Sequence, residues 1–186
     1  MVKKILVPLD GSDVSEGALG SAIEFAHQHH SEVLLLQVVE HYASQAPGLA
    51  PELGLELEEQ ARVEAKSYLE GCASRIAHSR AATRVSTGIA RDEIVRVAEA
   101  ENCELILLHS HGRDGISRWL LGSVAEGVLR RASCPVLLVR GDPKPLARFH
   151  HILVPVDGSE ASLSVLERLP ALIAPGGKVT LLQSSG

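Results

Sequence analysis

The chain has 186 residues, 45% of them apolar and 22% charged, and this ordinary composition argues against disorder and against a coiled coil. The formal net charge is −5 and no basic stripe is interleaved with aromatic residues, which argues against general nucleic-acid binding. Because aromatic residues make up only 3% of the chain, we expect a core of Val, Leu, Ile and Ala, as in parallel sheets covered by helices on both faces.

The amino terminus carries two lysines and then a short apolar run at residues 5–9. This run is too short for a signal peptide or a membrane span. Three cysteines, Cys72, Cys103 and Cys134, are widely spaced among apolar neighbours, which favours buried thiols in a reducing compartment. We therefore expect a cytoplasmic protein.

Short runs rich in Val, Ile and Leu predict buried parallel strands at residues 5–9, 33–39, 105–108 and 136–139, with a weaker run at 83–86. Between them, apolar residues three or four positions apart predict helices striped by residues 18–26, 57–76, 94–98 and 124–132. This alternation indicates a doubly wound α/β fold, a five-stranded parallel sheet with helices on both faces. Many enzymes and binding proteins share that architecture, so it assigns no function by itself.

An internal repeat divides the chain, because the segment ILVPLDGS at 5–12 returns as ILVPVDGS at 152–159. The second copy reaches only a strand, a helix and a strand, and the Gly- and Pro-containing segment 141–148 predicts a linker. We expect a full domain over 1–140 and an incomplete second repeat over 149–186. Since that repeat is too small to bury its own core, it should pack against the first domain or a partner chain.

Asp10 stands where the first strand should end, followed by Gly11 and Ser12 before a helix. Its carboxylate is therefore expected at the carboxyl rim of the sheet, where open α/β sheets bind their ligands. The alternative is that Asp10 or Ser12 merely caps the helix. Asp157 repeats Asp10 without a later glycine-serine helix start, so we expect at most one ligand site per chain.

A second candidate region runs from His109 through Gly112 and Arg113 to Gly122, Ser123 and Val124, which open a predicted helix. Glycines let backbone N–H groups converge on an anion, and a helix start adds unpaired donors with partial positive charge. Gly122, Ser123 and Val124 are candidate phosphate ligands, and Arg113 would add charge. The sequence has neither the P-loop pattern nor the glycine fingerprint of dinucleotide-binding folds.

Four blocks, in this order and spacing, resemble the universal stress protein family over residues 2–140: DGS at 10–12, HGR at 111–113, LGSVAE at 121–126 and CPVLLV at 134–139. The resemblance implies a fold of the adenine nucleotide alpha hydrolase type. It also implies a stress-response sensor or regulator that acts through dimerisation and regulatory protein partners. This protein would bind ATP, or else ADP or AMP, with little turnover and with Mg²⁺ accompanying the phosphates.

The resemblance also implies site residues. Asp10 and the backbone around Val38 or Val39 would contact the nucleoside, with Leu108 beside it. Gly112, Gly122, Ser123 and Val124 would take the phosphates. His109 replaces the first glycine of the family's phosphate-binding pattern, and it blocks the site, turns away from it or adds a contact. If it blocks the site, His109→Gly should tighten ATP binding.

Other interpretations stay open. The protein could instead be an interaction module that binds no nucleotide, or a slow ATPase or autophosphorylating protein, although no nucleophile elbow surrounds any serine and we assign no catalytic residue. His27, His29 and His30 fall at a predicted helix end. Imidazoles commonly pair with exposed carbonyl groups there, and this role is favoured over a metal site.

The apolar run Val136–Val139 predicts an edge strand, and the resemblance implies a homodimer through it.

Overall fold

The computed structural model describes residues 2–41, 50–76, 80–110, 122–140 and 149–183. The chain forms two compact units, Val2–Pro145 and Leu146–Gly186. The strands of the first unit are β1 Lys4–Pro8, β2 Glu32–Val39, β3 Ala81–Thr87, β4 Leu105–Ser110 and β5 Val136–Arg140. Its helices are α1 Asp13–His29, α2 Pro51–Ser74, α3 Ala90–Ala100 and α4 Ser123–Arg131.

The five strands form one parallel sheet in the order β3-β2-β1-β4-β5, which confirms the predicted α/β architecture. The chain moves outward from β1 to β2 and β3, then returns to β4 on the other side of β1. The connections therefore diverge between β1 and β4. In such sheets a crevice opens at this point, beyond the carboxyl ends of the strands.

The two faces of the sheet bury alternate residues of the same strands, as a two-residue side-chain period requires. Leu6, Leu36 and Leu108 belong to one buried cluster with residues of α3 and α4. Their strand neighbours Ile5, Val7 and Leu35 are fully buried on the opposite face, where α1 packs on β1 and β4 and α2 packs on β2 and β3. The apolar runs read from the sequence are therefore strands covered on both sides.

Helix α1 begins and ends at recognisable signals. The side chain of Ser12 accepts a hydrogen bond from the Ser15 N–H at the start, and His30 closes the helix in a left-handed conformation with φ 54°. The histidine cluster thus lies at a helix end, as predicted. His29 is buried there and stacks on Phe25 with ring centroids 4.4 Å apart.

The other helices follow the predicted stripes with two differences. In α3 the fully buried valine is Val97, not Val95, and in α4 Val124 and Leu129 are exposed although the stripe predicted them on the apolar face. The short helix α4 buries only a narrow strip around Ala125 and Val128. None of the helices in the described ranges is long and apolar enough to cross a bilayer.

The second unit has two parallel strands, β6 Phe149–Val156 and β7 Ile173–Gln183. Between them lie α5 Glu160–Leu163 and a 3₁₀ helix at Ser164–Ala171. The strand-helix-strand prediction is right in its order, but the helix is far shorter than α1. Pro170 lies inside the 3₁₀ helix and has no N–H to donate, so a regular α-helix cannot continue through it.

Candidate functional site

A cavity of about 340 Å³ lies at the carboxyl ends of β1, β2 and β4, against the amino ends of α1, α3 and α4. This is the point where the connections of the sheet diverge. Its volume falls within the range of small-molecule pockets. It gathers seven of the predicted site residues: Asp10, Val38, Leu108, His109, Gly122, Ser123 and Val124.

Asp10 and the cap of α1 form one hydrogen-bonded unit at the cavity rim. Asp10 Oδ1 accepts from the Ser12 N–H at 3.0 Å and from the Ser12 hydroxyl at 2.6 Å. The Asp10 N–H donates to Ser15 Oγ at 3.2 Å. Gly11 supports the turn with φ 82°, a conformation that side chains disfavour. Asp10 thus supports the cap through Ser12 and at the same time borders the cavity.

The carboxyl group of Asp10 has a lowered pKa. Partial burial by itself would raise that pKa, but hydrogen bonds from Ser12 and Ser15 outweigh burial and bring it below its ordinary value. The group is therefore ionised at neutral pH and acts only as an acceptor. Both hydrogen bonds from Ser12 end on the same oxygen, Oδ1.

Helix α4 begins at the cavity without a side-chain cap. Gly122 is its N-cap, with φ −60° and ψ 147°, and makes no side-chain hydrogen bond, while its carbonyl accepts the Glu126 N–H at 2.9 Å. The first N–H groups of a helix have no partner within the helix and carry partial positive charge. The cavity wall at Gly122, Ser123 and Val124 is therefore suited to an anion.

The cavity also has an apolar wall. Leu36 and Leu108 project from the sheet face that packs against α3 and α4, Val38 continues that face at the end of β2, and Ile94 and Ala125 approach from the helices. The apolar wall, the carboxylate and the helix start all line the same cavity. Such a surface suits a flat, weakly polar ring rather than a charged group.

His109 borders the cavity, but its ring packs against α1. It follows Leu108, so strand alternation directs its side chain towards the other face of the sheet. A Cβ placed on Gly17 would lie 2.8 Å from His109 Cδ2 and 2.9 Å from Nε2, so the imidazole rests directly on the helix backbone. Of the three interpretations of His109, the geometry favours a side chain turned away from the cavity.

Three predicted residues are not part of this cavity in the described chain. Val39 lies next to Val38 but on the opposite face, where its side chain is buried, and its carbonyl accepts the Gly88 N–H at 2.9 Å. Gly112 and Arg113 lie outside the described residues. Their predicted roles stay predictions.

Several lining residues were not predicted. Pro8, Leu9, Ser12, Ser15, Leu36 and Ile94 line the cavity, as does Ala90 at the start of α3. Ala90 had a usable signal in the sequence, since Gly88 follows a predicted strand and precedes a helical stripe. The others had none that separates a cavity wall from an ordinary core.

The second copy repeats the first motif alone. Ser159 donates its N–H to Asp157 Oδ1 at 2.9 Å, and Ser159 Oγ accepts from the Ser162 N–H at 3.1 Å. The hydrogen bonds from Ser159 lower the pKa of Asp157 to about 2. No element equivalent to α4 exists among the described residues of this unit. Asp157 therefore provides a natural control for Asp10.

The chain is similar to known proteins in both sequence and fold. The sequence model described as "Universal stress protein family" matches residues 1–140. Universal stress protein MJ0531 of Methanocaldococcus jannaschii is 37% identical over 152 residues, which cover 77% of this chain and 85% of that protein. The solved structure of protein MJ0577 is similar at 33% identity with a TM-score of 0.66, covering 76% of this chain and 97% of that one.

Two more distant structures contain nucleotides. One is a universal stress protein in complex with cAMP, 22% identical with a TM-score of 0.52, covering 75% of this chain and 97% of that one. The other is the universal stress protein from Archaeoglobus fulgidus in complex with dAMP, 20% identical with a TM-score of 0.52, covering 74% of this chain and 97% of that one. At this identity they share the fold with the present chain, and their ligands are properties of those proteins.

Proposed function

Because the chain belongs to the universal stress protein family, we propose that the cavity of its first unit binds an adenine nucleotide, with ATP as the first candidate and ADP or AMP as alternatives. The observation that carries this proposal is the pairing within one cavity of an ionised carboxylate, Asp10, and an uncapped helix start at Gly122.

The polar ends of a nucleotide match these two groups. Ribose hydroxyls are donors, and the ionised Asp10 carboxylate is a charged acceptor at the cavity rim. Phosphate oxygens are acceptors, and the first N–H groups of α4, with the Ser123 hydroxyl, are donors directed at an anion. Mg²⁺ would enter bound to the phosphate oxygens. The apolar wall of Leu36, Val38 and Leu108 would lie against the base.

The proposed role is that of a nucleotide sensor or regulator in a stress response, with little or no turnover. The cAMP and dAMP complexes of distant relatives support a binding role for the shared fold. The three cysteines are free thiols, in keeping with a cytoplasmic location. Release of inorganic phosphate from ATP at a rate above that of the buffer would argue instead for an ATPase.

We also propose that the protein forms a homodimer through β5. This strand lies at one edge of the sheet, and in the described part of the chain no further strand pairs with its outer side. Leu137→Lys should convert a dimer to a monomer in size-exclusion chromatography with light scattering. Thr83→Lys, on the opposite edge strand β3, should leave the mass unchanged, and a wild-type monomer would exclude the dimer.

The test of nucleotide binding uses the repeated motif as its own control. The full chain, purified without added nucleotide, is heat-denatured and the supernatant examined for released nucleotide. ATP is then titrated into Asp10→Asn and Asp157→Asn. Because a hydrogen bond to a charged group is worth about 1.5–3 kcal/mol, Asp10→Asn should weaken binding about tenfold or more. Asp157→Asn should leave it unchanged; equal effects of the two substitutions would contradict the proposed site.

A further inference from the structure

The contact between Gly17 and His109 is closer than any side chain at position 17 would allow. Gly17 is buried within α1, where glycine is less favourable than alanine. We propose that Gly17 is a positioning residue, whose missing side chain lets the His109 ring lie against α1 and so keeps the cavity open to a nucleotide. The inference rests on the proposed function of that cavity.

The distances fix which groups must move if position 17 gains a Cβ. That atom would lie 2.8, 2.9 and 3.1 Å from His109 Cδ2, Nε2 and Cγ, three consecutive ring atoms. Carbon atoms pack best at about 3.5–4.0 Å, so the ring and the helix would have to separate by about 0.7 Å or more. The imidazole ring itself is rigid, so the separation has to come from rotation about its side-chain torsions or from a shift of the backbone.

Neither helix α1, which carries Gly17, nor strand β4, which carries His109, can shift easily. Helix α1 is anchored on the sheet by fully or nearly fully buried Leu19, Ala22 and Phe25, and β4 is paired on both sides, with β1 and with β5. His109 is also one of the residues that line the cavity. A ring displaced from Gly17 therefore enters the space proposed for the nucleotide.

The chain supplies a matched control. Gly71 is also a helical glycine, in the last turn of α2, and a Cβ at that position meets nothing within 4 Å. Gly71→Ala and Gly17→Ala make the same change in helix propensity, and they differ in the steric contact with His109. The experiment compares the full chain with Gly17→Ala, Gly71→Ala, His109→Ala and the double variant Gly17→Ala/His109→Ala.

Two readouts are measured on each protein, the affinity for ATP by calorimetry and the midpoint of thermal unfolding. Gly17→Ala should weaken ATP binding about tenfold, whereas the double variant should return to within about threefold of the original affinity. Gly17→Ala should also lower the melting temperature by about 3–8 °C, because the added methyl group overpacks the contact with His109. The double variant should not melt at a lower temperature than His109→Ala alone. Gly71→Ala should leave ATP affinity unchanged and raise the melting temperature by about 1–4 °C.

The outcomes separate this inference from the proposed function. If the unmodified chain binds no ATP, the proposed function fails together with the part of the inference that concerns an open cavity. If it binds ATP and Gly17→Ala binds equally well, or the double variant remains as weak as Gly17→Ala, only the positioning role is wrong. Should Gly17→Ala alone fail to fold, the double variant must fold and bind ATP, and its failure would overturn the inference.

Discussion

Ser12 donates both its backbone N–H and its hydroxyl to the same oxygen of Asp10, at 3.0 and 2.6 Å. The hydroxyl oxygen in turn accepts the Ser15 N–H at 3.2 Å, which caps α1. One serine therefore starts the helix and fixes the carboxylate at the cavity rim. The capping role of Ser12 is therefore compatible with the ligand role proposed for Asp10.

Ser12→Ala should reduce stability and nucleotide affinity together. Loss of an N-cap serine costs about 1 kcal/mol, and Asp10 also loses the hydroxyl that orients it. Urea unfolding and ATP titration measure the two effects. Ser159→Ala is the control, because its cap begins the four-residue helix α5 of the second unit and should leave ATP affinity unchanged. Unaltered ATP affinity in Ser12→Ala would show that orientation of Asp10 is unimportant.

Gly122→Asp should raise the stability of the fold slightly and abolish ATP binding. The backbone at Gly122 is one that any residue adopts, and a Cβ there meets nothing within 4 Å. Aspartate at an N-cap stabilises a helix by a few tenths of a kcal/mol relative to glycine, so unfolding should shift slightly upward. Its carboxylate would occupy the position proposed for phosphate, and ATP binding should fall below detection. If this variant still bound ATP, the phosphates could not be bound at the start of α4.

His109→Gly should leave ATP affinity within about threefold of the original value, because the ring already lies against Gly17 and not across the cavity. Calorimetry decides between this expectation and obstruction by the imidazole. A markedly tighter complex would mean that the ring blocks the nucleotide in solution.

Glu93 should contribute stability that depends on pH. Hydrogen bonds from Arg96, with a smaller contribution from Ser86, lower the pKa of Glu93 to about 2 against the opposing effect of burial. Since the folded pKa lies below the ordinary value of 4.5, this contribution is complete above pH 4.5 and is lost as the pH falls towards 2.

Glu93→Gln should therefore cost about 1 kcal/mol at pH 7, allowing for solvent screening at the half-exposed Arg96, and progressively less in acid. Urea unfolding at several pH values measures this difference. Glu99→Gln, on the exposed side of the same helix, is the control for removal of one carboxylate from α3. A Glu93→Gln cost that persists unchanged at pH 3 would mean that the ion pair is not its source.

The sequence was sufficient for most of the sheet, because β1, β2, β4 and β5 each contain a continuous apolar run, whereas the edge strand β3 is more polar and gave a weaker signal. It also indicated the position of Asp10 and Gly122, since both follow strands whose carboxyl ends must meet at one rim. Val38 and Val39 stayed equivalent in the sequence. Only the phase of strand alternation, which the fold sets, directs Val38 to the cavity and Val39 to the opposite core.

Other features depend on contacts between distant parts of the chain. Nothing in the local pattern around Gly17 or His109 indicates that one lies against the other, because α1 and β4 meet only in the folded sheet. The short helix of the second repeat is different. The repeat predicted the order of strand, helix and strand but not the length of the helix, which is four residues and continues as a 3₁₀ helix that contains Pro170.

Titration of the full chain with ATP is the decisive measurement of nucleotide binding at the cavity. We expect saturable binding with one site per chain, lost in Gly122→Asp and kept in Asp157→Asn. No saturable binding at ATP concentrations up to about 1 mM, a range that would detect even weak sites, would contradict it, as would a stoichiometry of two.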